Sequence, residues 1–324
     1  MIRELAENTK DLEEKHKLHV YEGVGYMIKE EKDALKKEVL LKNLMQYTHA
    51  DWATIMTMAN ENESSLQNDE VINMITYIVR VNERVAFSVG THYSLYLKEV
   101  FNDYIQVYAL YSANISTIYA NGQESQYQVP LRVMKTLRRE LLKLITTFIS
   151  QTEQKGEVIE QFLPSLSNLI QDYNKNVPNA RDPEVLSLFA TMIENMGIEL
   201  TEHVPSILDN LFASTLSMIQ ENFTDYMDFR KGFFTLIKNI VFFSTEGLFK
   251  ADEGNFKTFI DSIIWAFKHH QPELAEIGLQ AMSELLSKVA FASEICNPFF
   301  QGYYMPILQD IFFVLTDGSH KGGF

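Results

Sequence analysis

The chain has 324 residues, 46% of them hydrophobic and 22% charged, with a formal net charge of −15 and a pI near 5.0. Such acidity repels phosphate backbones, which argues against nucleic acid as a direct ligand, while a basic protein would be drawn in. Fourteen glycines and eight prolines are too few for many hairpins and sharp loops, so β and α/β folds are disfavoured.

Helical periodicity dominates from end to end, and the spacing predicts helix pairs within residues 2–32, 34–66, 68–122, 128–176, 181–222, 225–270 and 272–317. The first two are the more polar and less regular. In 131–148, Met134, Leu137, Leu141, Leu144, Ile145 and Phe148 fall on one helical face. An apolar doublet recurs as Leu169-Ile170, Leu211-Phe212, Ile263-Ile264 and Ile311-Phe312, at spacings of 42, 52 and 48 residues. Pro130, Pro164, Pro205, Pro272 and Pro306 are expected in first helical turns, where a missing N–H costs least. A period in the forties is that of two-helix HEAT-type units, which bury their apolar faces only by stacking on neighbours. The expected fold is therefore all-α, a HEAT-repeat α-solenoid, with residues 1–324 forming one array of about seven helix pairs.

No pattern calls for catalysis, a cofactor or a metal. There is no P-loop, dinucleotide fingerprint or paired zinc-ligand cysteines. Gly23-Val24-Gly25 is too short to cradle phosphate and suits close helix packing. His16 and His19 have a workable spacing for a metal but no partner ligands, and His269-His270 point apart on a helix. Cys296 stands alone, so no disulfide framework exists and a buried apolar thiol is expected. The run Ile240-Val241-Phe242-Phe243 is far too short to span a bilayer, so a soluble intracellular protein without membrane contact is expected. Lys135, Arg138, Arg139 and Lys143 form the strongest basic patch, either a solvated face or a contact for an acidic partner.

Five segments, in order, resemble the nuclear export receptors of the karyopherin-β family: 22–28 (EGVGYMI), 134–140 (MKTLRRE), 176–186 (NVPNARDPEVL), 261–269 (DSIIWAFKH) and 316–320 (TDGSH). The motifs themselves are structural, with Asp182-Pro183 suited to starting a helix and Trp265 to core packing. The resemblance implies the C-terminal third of such a receptor, truncated at both ends, since the chain stops at Gly322-Gly323-Phe324 without a terminating signal. The groove for leucine-rich export signals and its reactive cysteine would lie upstream, so Cys296 does not inherit that role.

What the resemblance implies for this segment is an arch supporting ring closure, partial contacts to Ran-GTP, and outer grooves for phenylalanine-glycine nucleoporins. Export cargo would be bound through the intact receptor, which shuttles between nucleus and cytoplasm. In such receptors the second helix of each pair lines the inner face, which singles out Glu160, Asp209, Asp261 and Asp310 as candidate protein-binding residues. An import receptor or a general HEAT-repeat scaffold is the alternative.

Overall fold

The computed structural model describes residue 2, residues 5–220 and residues 225–316. Among the described residues there is no strand, and the chain forms two compact units, Met1–Asp182 and Pro183–Phe324. The segment 316–320 falls outside the described residues except for Thr316.

The first unit contains α1 (Leu5–Asn8), α2 (Glu14–Lys29), α3 (Ala34–Glu61), α4 (Asp69–Val89), α5 (Ser94–Ala120), α6 (Gln128–Gln151) and α7 (Lys155–Lys175). α2, α4 and α6 pack side by side as one layer, and α5 packs on both α6 and α7. Starts are set by side-chain caps: Asp33 accepts from the Leu35 N–H at 3.0 Å, and Asn68 from the Glu70 N–H at 2.8 Å. The pairs expected within 68–122 and 128–176 are present as α4–α5 and α6–α7. The two expected within 2–32 and 34–66 are not hairpins. Each holds one main helix, α2 and α3, because no glycine or proline interrupts 34–61 and only the single turn α1 precedes α2.

The second unit contains α8 (Glu184–Met196), α9 (Val204–Ile219), α10 (Met227–Phe243), the short α11 (Thr245–Phe249), α12 (Glu253–Phe267), α13 (Pro272–Phe291) and α14 (Ser293–Thr316). Here α8, α10 and α13 form one layer, with α12 and α14 packed on α13. Asp252 caps α12, accepting from the Gly254 and Asn255 N–H groups at 2.8 and 3.0 Å. The recurring doublets sit where expected, with Leu169, Leu211 and Ile263 at most 1% exposed. Phe312 departs from this, being 61% exposed on α14.

Pro205, Pro272 and Pro130 lie in first turns as expected, whereas Pro164 and Pro306 are inside α7 and α14. Packing of the flanking turns outweighs one missing helical hydrogen bond, the one Pro164 would have given to the carbonyl of Glu160. Gly25 earns its place: a Cβ there would come within 1.9 Å of Ser88 Oγ on α4, whereas Gly23 faces open space. Gly278 does the same for α13, where a Cβ would lie 2.3 Å from the Phe267 nitrogen.

Candidate protein-binding surfaces

The four acids singled out from the sequence all lie on second helices, Glu160 on α7, Asp209 on α9, Asp261 on α12 and Asp310 on α14. Glu160, Asp209 and Asp261 are exposed, and Asp310 is half-buried. Asp261 accepts from Lys257 at 2.7 Å one turn earlier, and Asp310 pairs with Lys268. Asp209 accepts from the Asn255 amide, which orients it and leaves its charge uncancelled. Two of the four are thus neutralised by lysines of their own unit, while Glu160 and Asp209 keep their field.

The basic patch divides. Lys135, Arg139 and Lys143, four residues apart on α6, all line one groove of about 710 Å³. Arg138 does not belong to it. One position off that stripe it turns into the core at 1% exposure, where it donates to Ser112 Oγ at 3.1 Å and pairs with Asp182 at 3.5 Å. Ser112 donates in turn to Asp172 at 2.6 Å, and Asn176 donates to both at 3.0 Å. Asp182, just before α8, is thus a buried counter-ion to Arg138, and its other oxygen lies 3.7 Å from Arg139.

A feature that no motif announced lies in the second unit. Ile198, Phe242, Phe243, Phe249 and Phe291 line a groove of about 480 Å³, with Glu246 and Lys288 at its rim. Ile198 is 83% and Phe291 91% exposed. The local cause is legible: four consecutive apolar residues, 240–243, cover every side of a helix, so Ile240 and Val241 are buried and Phe242 and Phe243 face out. Gly197 lets the end of α10 approach, for a Cβ there would stand 2.3 Å from the Phe243 carbonyl oxygen. Ser244 Oγ closes the corner by donating to the Gly197 carbonyl at 2.7 Å.

The remaining candidates are structural. His16 and His19 are exposed, and no metal-binding cluster occurs among the described residues. His269 ends α12, buried, with Nδ1 accepting from the Gln271 N–H at 3.2 Å. Burial, with Arg230 and His270 adding repulsion, pulls its pKa down to about 4. Cys296 is half-buried, not buried, because α14 packs on one side only. Trp265 is half-buried against Phe234 at 5.4 Å, under the Arg230 guanidinium at 5.2 Å. Among the described residues no helix is long and apolar enough to cross a membrane.

Layered helix pairs of this kind are the architecture of HEAT-type repeats. The comparisons narrow the class. The family model described as CRM1 C terminal matches residues 96–324. Protein EXPORTIN 1B of Arabidopsis thaliana is 38% identical over 95% of this chain and 29% of its own length. Exportin-1 of Dictyostelium discoideum is 35% identical and that of Schizosaccharomyces pombe 33%, each over 100% of this chain and 30% of the relative. The chain belongs to the exportin-1 family of nuclear export receptors, which are transport proteins and not enzymes. It spans 29–30% of the length of these relatives.

Proposed function

We propose that this chain is the C-terminal helical-repeat part of a nuclear export receptor that binds cargo with leucine-rich signals together with Ran-GTP and shuttles between nucleus and cytoplasm. The doublet spacing supports one continuous array over residues 1–324 in which the segment forms an arch that helps close the receptor ring. On this reading the aromatic groove of the second unit receives phenylalanine-glycine nucleoporins, each phenylalanine burying against Phe242, Phe243 or Phe291. Exposed Glu160 and Asp209, together with the lysine-paired Asp261 and Asp310, meet basic patches of Ran or cargo. The relatives' names favour an exporter over an import receptor or a general scaffold.

The observation that carries the nucleoporin reading is the exposed aromatic groove, since a buried ring is worth roughly 1.5–3 kcal/mol and these rings are left uncovered. The test is titration of a labelled phenylalanine-glycine repeat peptide against the chain. Phe291→Asp with Ile198→Asp should weaken binding about tenfold or more, a loss of about 1.4 kcal/mol or more, with circular dichroism unchanged. Equal affinity in the double variant would place nucleoporin binding elsewhere.

A further inference from the structure

The groove on α6 belongs to neither of those surfaces. Arg132, Lys135, Arg139 and Lys143 run along one wall, and Tyr119 and Glu124 stand opposite, in a space of about 710 Å³. From the first cation to the last is eleven residues of helix, about 16 Å. The rest of the groove is not rich enough in acid to neutralise them, for Glu124 and Glu140 are its only carboxylates.

A neighbouring groove of about 530 Å³ shows what self-neutralisation looks like. There Arg80 pairs with Glu14 at 3.1 Å and Glu140 at 3.5 Å, and Arg84 with Glu22 and Glu83, both at 3.4 Å. On α6, by contrast, Arg132 and Lys135 form no ion pair with any described carboxylate. Lys135 is nonetheless held in place. It donates to the Tyr119 hydroxyl at 2.7 Å and the Asn179 carbonyl at 3.3 Å, and lies 4.6 Å from the centre of the Tyr119 ring. Arg139 touches only the edge of Asp182, at 3.7 Å, and Lys143 is 3.9 Å from Glu140. Four cations with only two long ion pairs among them, on a chain of net charge −15, mark a place where negative charge is wanted.

We infer that this groove binds an acidic peptide segment, a run of aspartates and glutamates in a partner protein. The chain's net charge favours a short acidic peptide over a long polyanion. The chain's overall negative charge opposes a long phosphate backbone, whereas a short acidic run meets only the local cations. Arginines such as Arg132 and Arg139 can meet the carboxylates of such a run, as they would a phosphate, with paired N–H donors. An extended segment of about five residues spans the 16 Å or so of wall. Contacts to four half-exposed cations would speed association and weaken steeply with salt.

The test uses the full chain and a short labelled peptide of alternating glutamate and aspartate, followed by fluorescence anisotropy at low and physiological ionic strength. Arg132→Glu with Arg139→Glu should weaken binding about tenfold or more, while Arg132→Lys weakens it less and Arg84→Glu, in the neighbouring groove, leaves it unchanged. Hydrogen exchange in α6 checks that the double variant is folded, and Phe291→Asp should leave the acidic peptide bound, which separates this surface from the aromatic groove. The inference is overturned if the double variant binds the peptide as tightly as the parent chain. It is equally overturned if inorganic phosphate displaces the peptide at matching concentration or a single-stranded oligonucleotide binds more tightly, since the groove would then be a site for simple or polymeric phosphate.

Discussion

The two units solve the same packing problem with different side chains. Twelve of the fifteen tyrosines lie in residues 1–182, and eighteen of the twenty-two phenylalanines lie in residues 183–324. Charge divides as unevenly, with 20 basic against 25 acidic residues in the first span and 8 against 18 in the second, so net −5 and −10. In the first unit some buried rings carry hydroxyls with partners, as Tyr93 donates to Asn82 and Tyr111 to the Leu66 carbonyl, both at 2.7 Å, while the Tyr104 hydroxyl has none. The buried set Arg138, Ser112, Asp172, Asn176 and Asp182 belongs to the same polar style. In the second unit Phe212 sits 4.8 Å from Phe233 and 5.7 Å from Phe259, contact by ring alone. Polar packing fixes each ring by direction, and apolar packing fills volume and leaves surplus rings at the surface. That surplus is the aromatic groove, and the first unit's surplus is a basic one.

Two substitutions should separate the styles by the largest margin. Arg138→Met keeps most of the volume but leaves Asp182 buried and without its main counter-ion, a loss of roughly 3–5 kcal/mol. Phe212→Ala removes a ring 2% exposed and should cost roughly 3–5 kcal/mol through the cavity it leaves. Hydrogen exchange should place the first loss in residues 1–182 and the second in 183–324. A near-neutral Arg138→Met would show that the polar network adds nothing that apolar contact does not.

The units should also fail at opposite ends of the pH scale. Burial pushes the Tyr93, Tyr104 and Tyr108 hydroxyls well above the ordinary tyrosine range, so the folded state keeps protons that the unfolded chain releases above about pH 10. Stability from that source is complete below pH 10 or so and falls as pH rises. Tyr104→Phe removes one such group whose hydroxyl has no partner, and should flatten the alkaline limb without loss at neutral pH. His269 runs the other way. Its pKa of about 4 means the unfolded chain takes up a proton first, so stability is full above about pH 6.5 and falls toward pH 4. The loss is at most about 3 kcal/mol, and urea titrations of His269→Asn across that window should show a shallower acid limb.

Glycines give a smaller effect with opposite signs in one helix. Gly25→Ala drives a methyl into Ser88 and should cost roughly 1–3 kcal/mol, whereas Gly23→Ala meets open space and should gain about 0.5–1 kcal/mol of helix propensity. Equal signs in thermal melts would mean that the α2–α4 contact is looser than the geometry of Ser88 allows.

How much of this was written in the sequence depended on whether one helix face or several were involved. The five later helix pairs follow from period and doublets such as Leu211-Phe212, because each uses one apolar face. Arg138 could not be told from Arg139 by composition, since a shift of one residue, about 100° of rotation, decides between core and solvent. Pro164 looked like a helix start because local chemistry favours that, and tertiary packing overruled it. The aromatic groove was announced only as the run 240–243, whose excess over one helix face was the available signal. The acids were placed on second helices correctly, and Lys257, four residues before Asp261, was a legible partner, whereas the pairing of Lys268 with Asp310 became visible only in three dimensions.

The smallest expected effect bears on those acids. Asp209 and Glu160 are exposed, and neither forms an ion pair that its reversal would break, so Asp209→Lys and Glu160→Lys should leave the melting temperature unchanged. Any change they cause in partner association then belongs to the surface and not to the fold. In the intact receptor, reversal should slow association with Ran-GTP or a basic cargo by a few-fold at low ionic strength, and the difference should vanish as salt screens beyond about 8–10 Å. The unit of net charge −10 presents the stronger field, so Asp209→Lys should slow association more than Glu160→Lys. Asp261→Lys is the internal control, because it changes the net charge by the same two units as Asp209→Lys, at a site where Lys257 already offsets the acid. If Asp209→Lys and Asp261→Lys alter the association rate equally, the effect tracks the chain's net charge and the second helices hold no directed acidic surface.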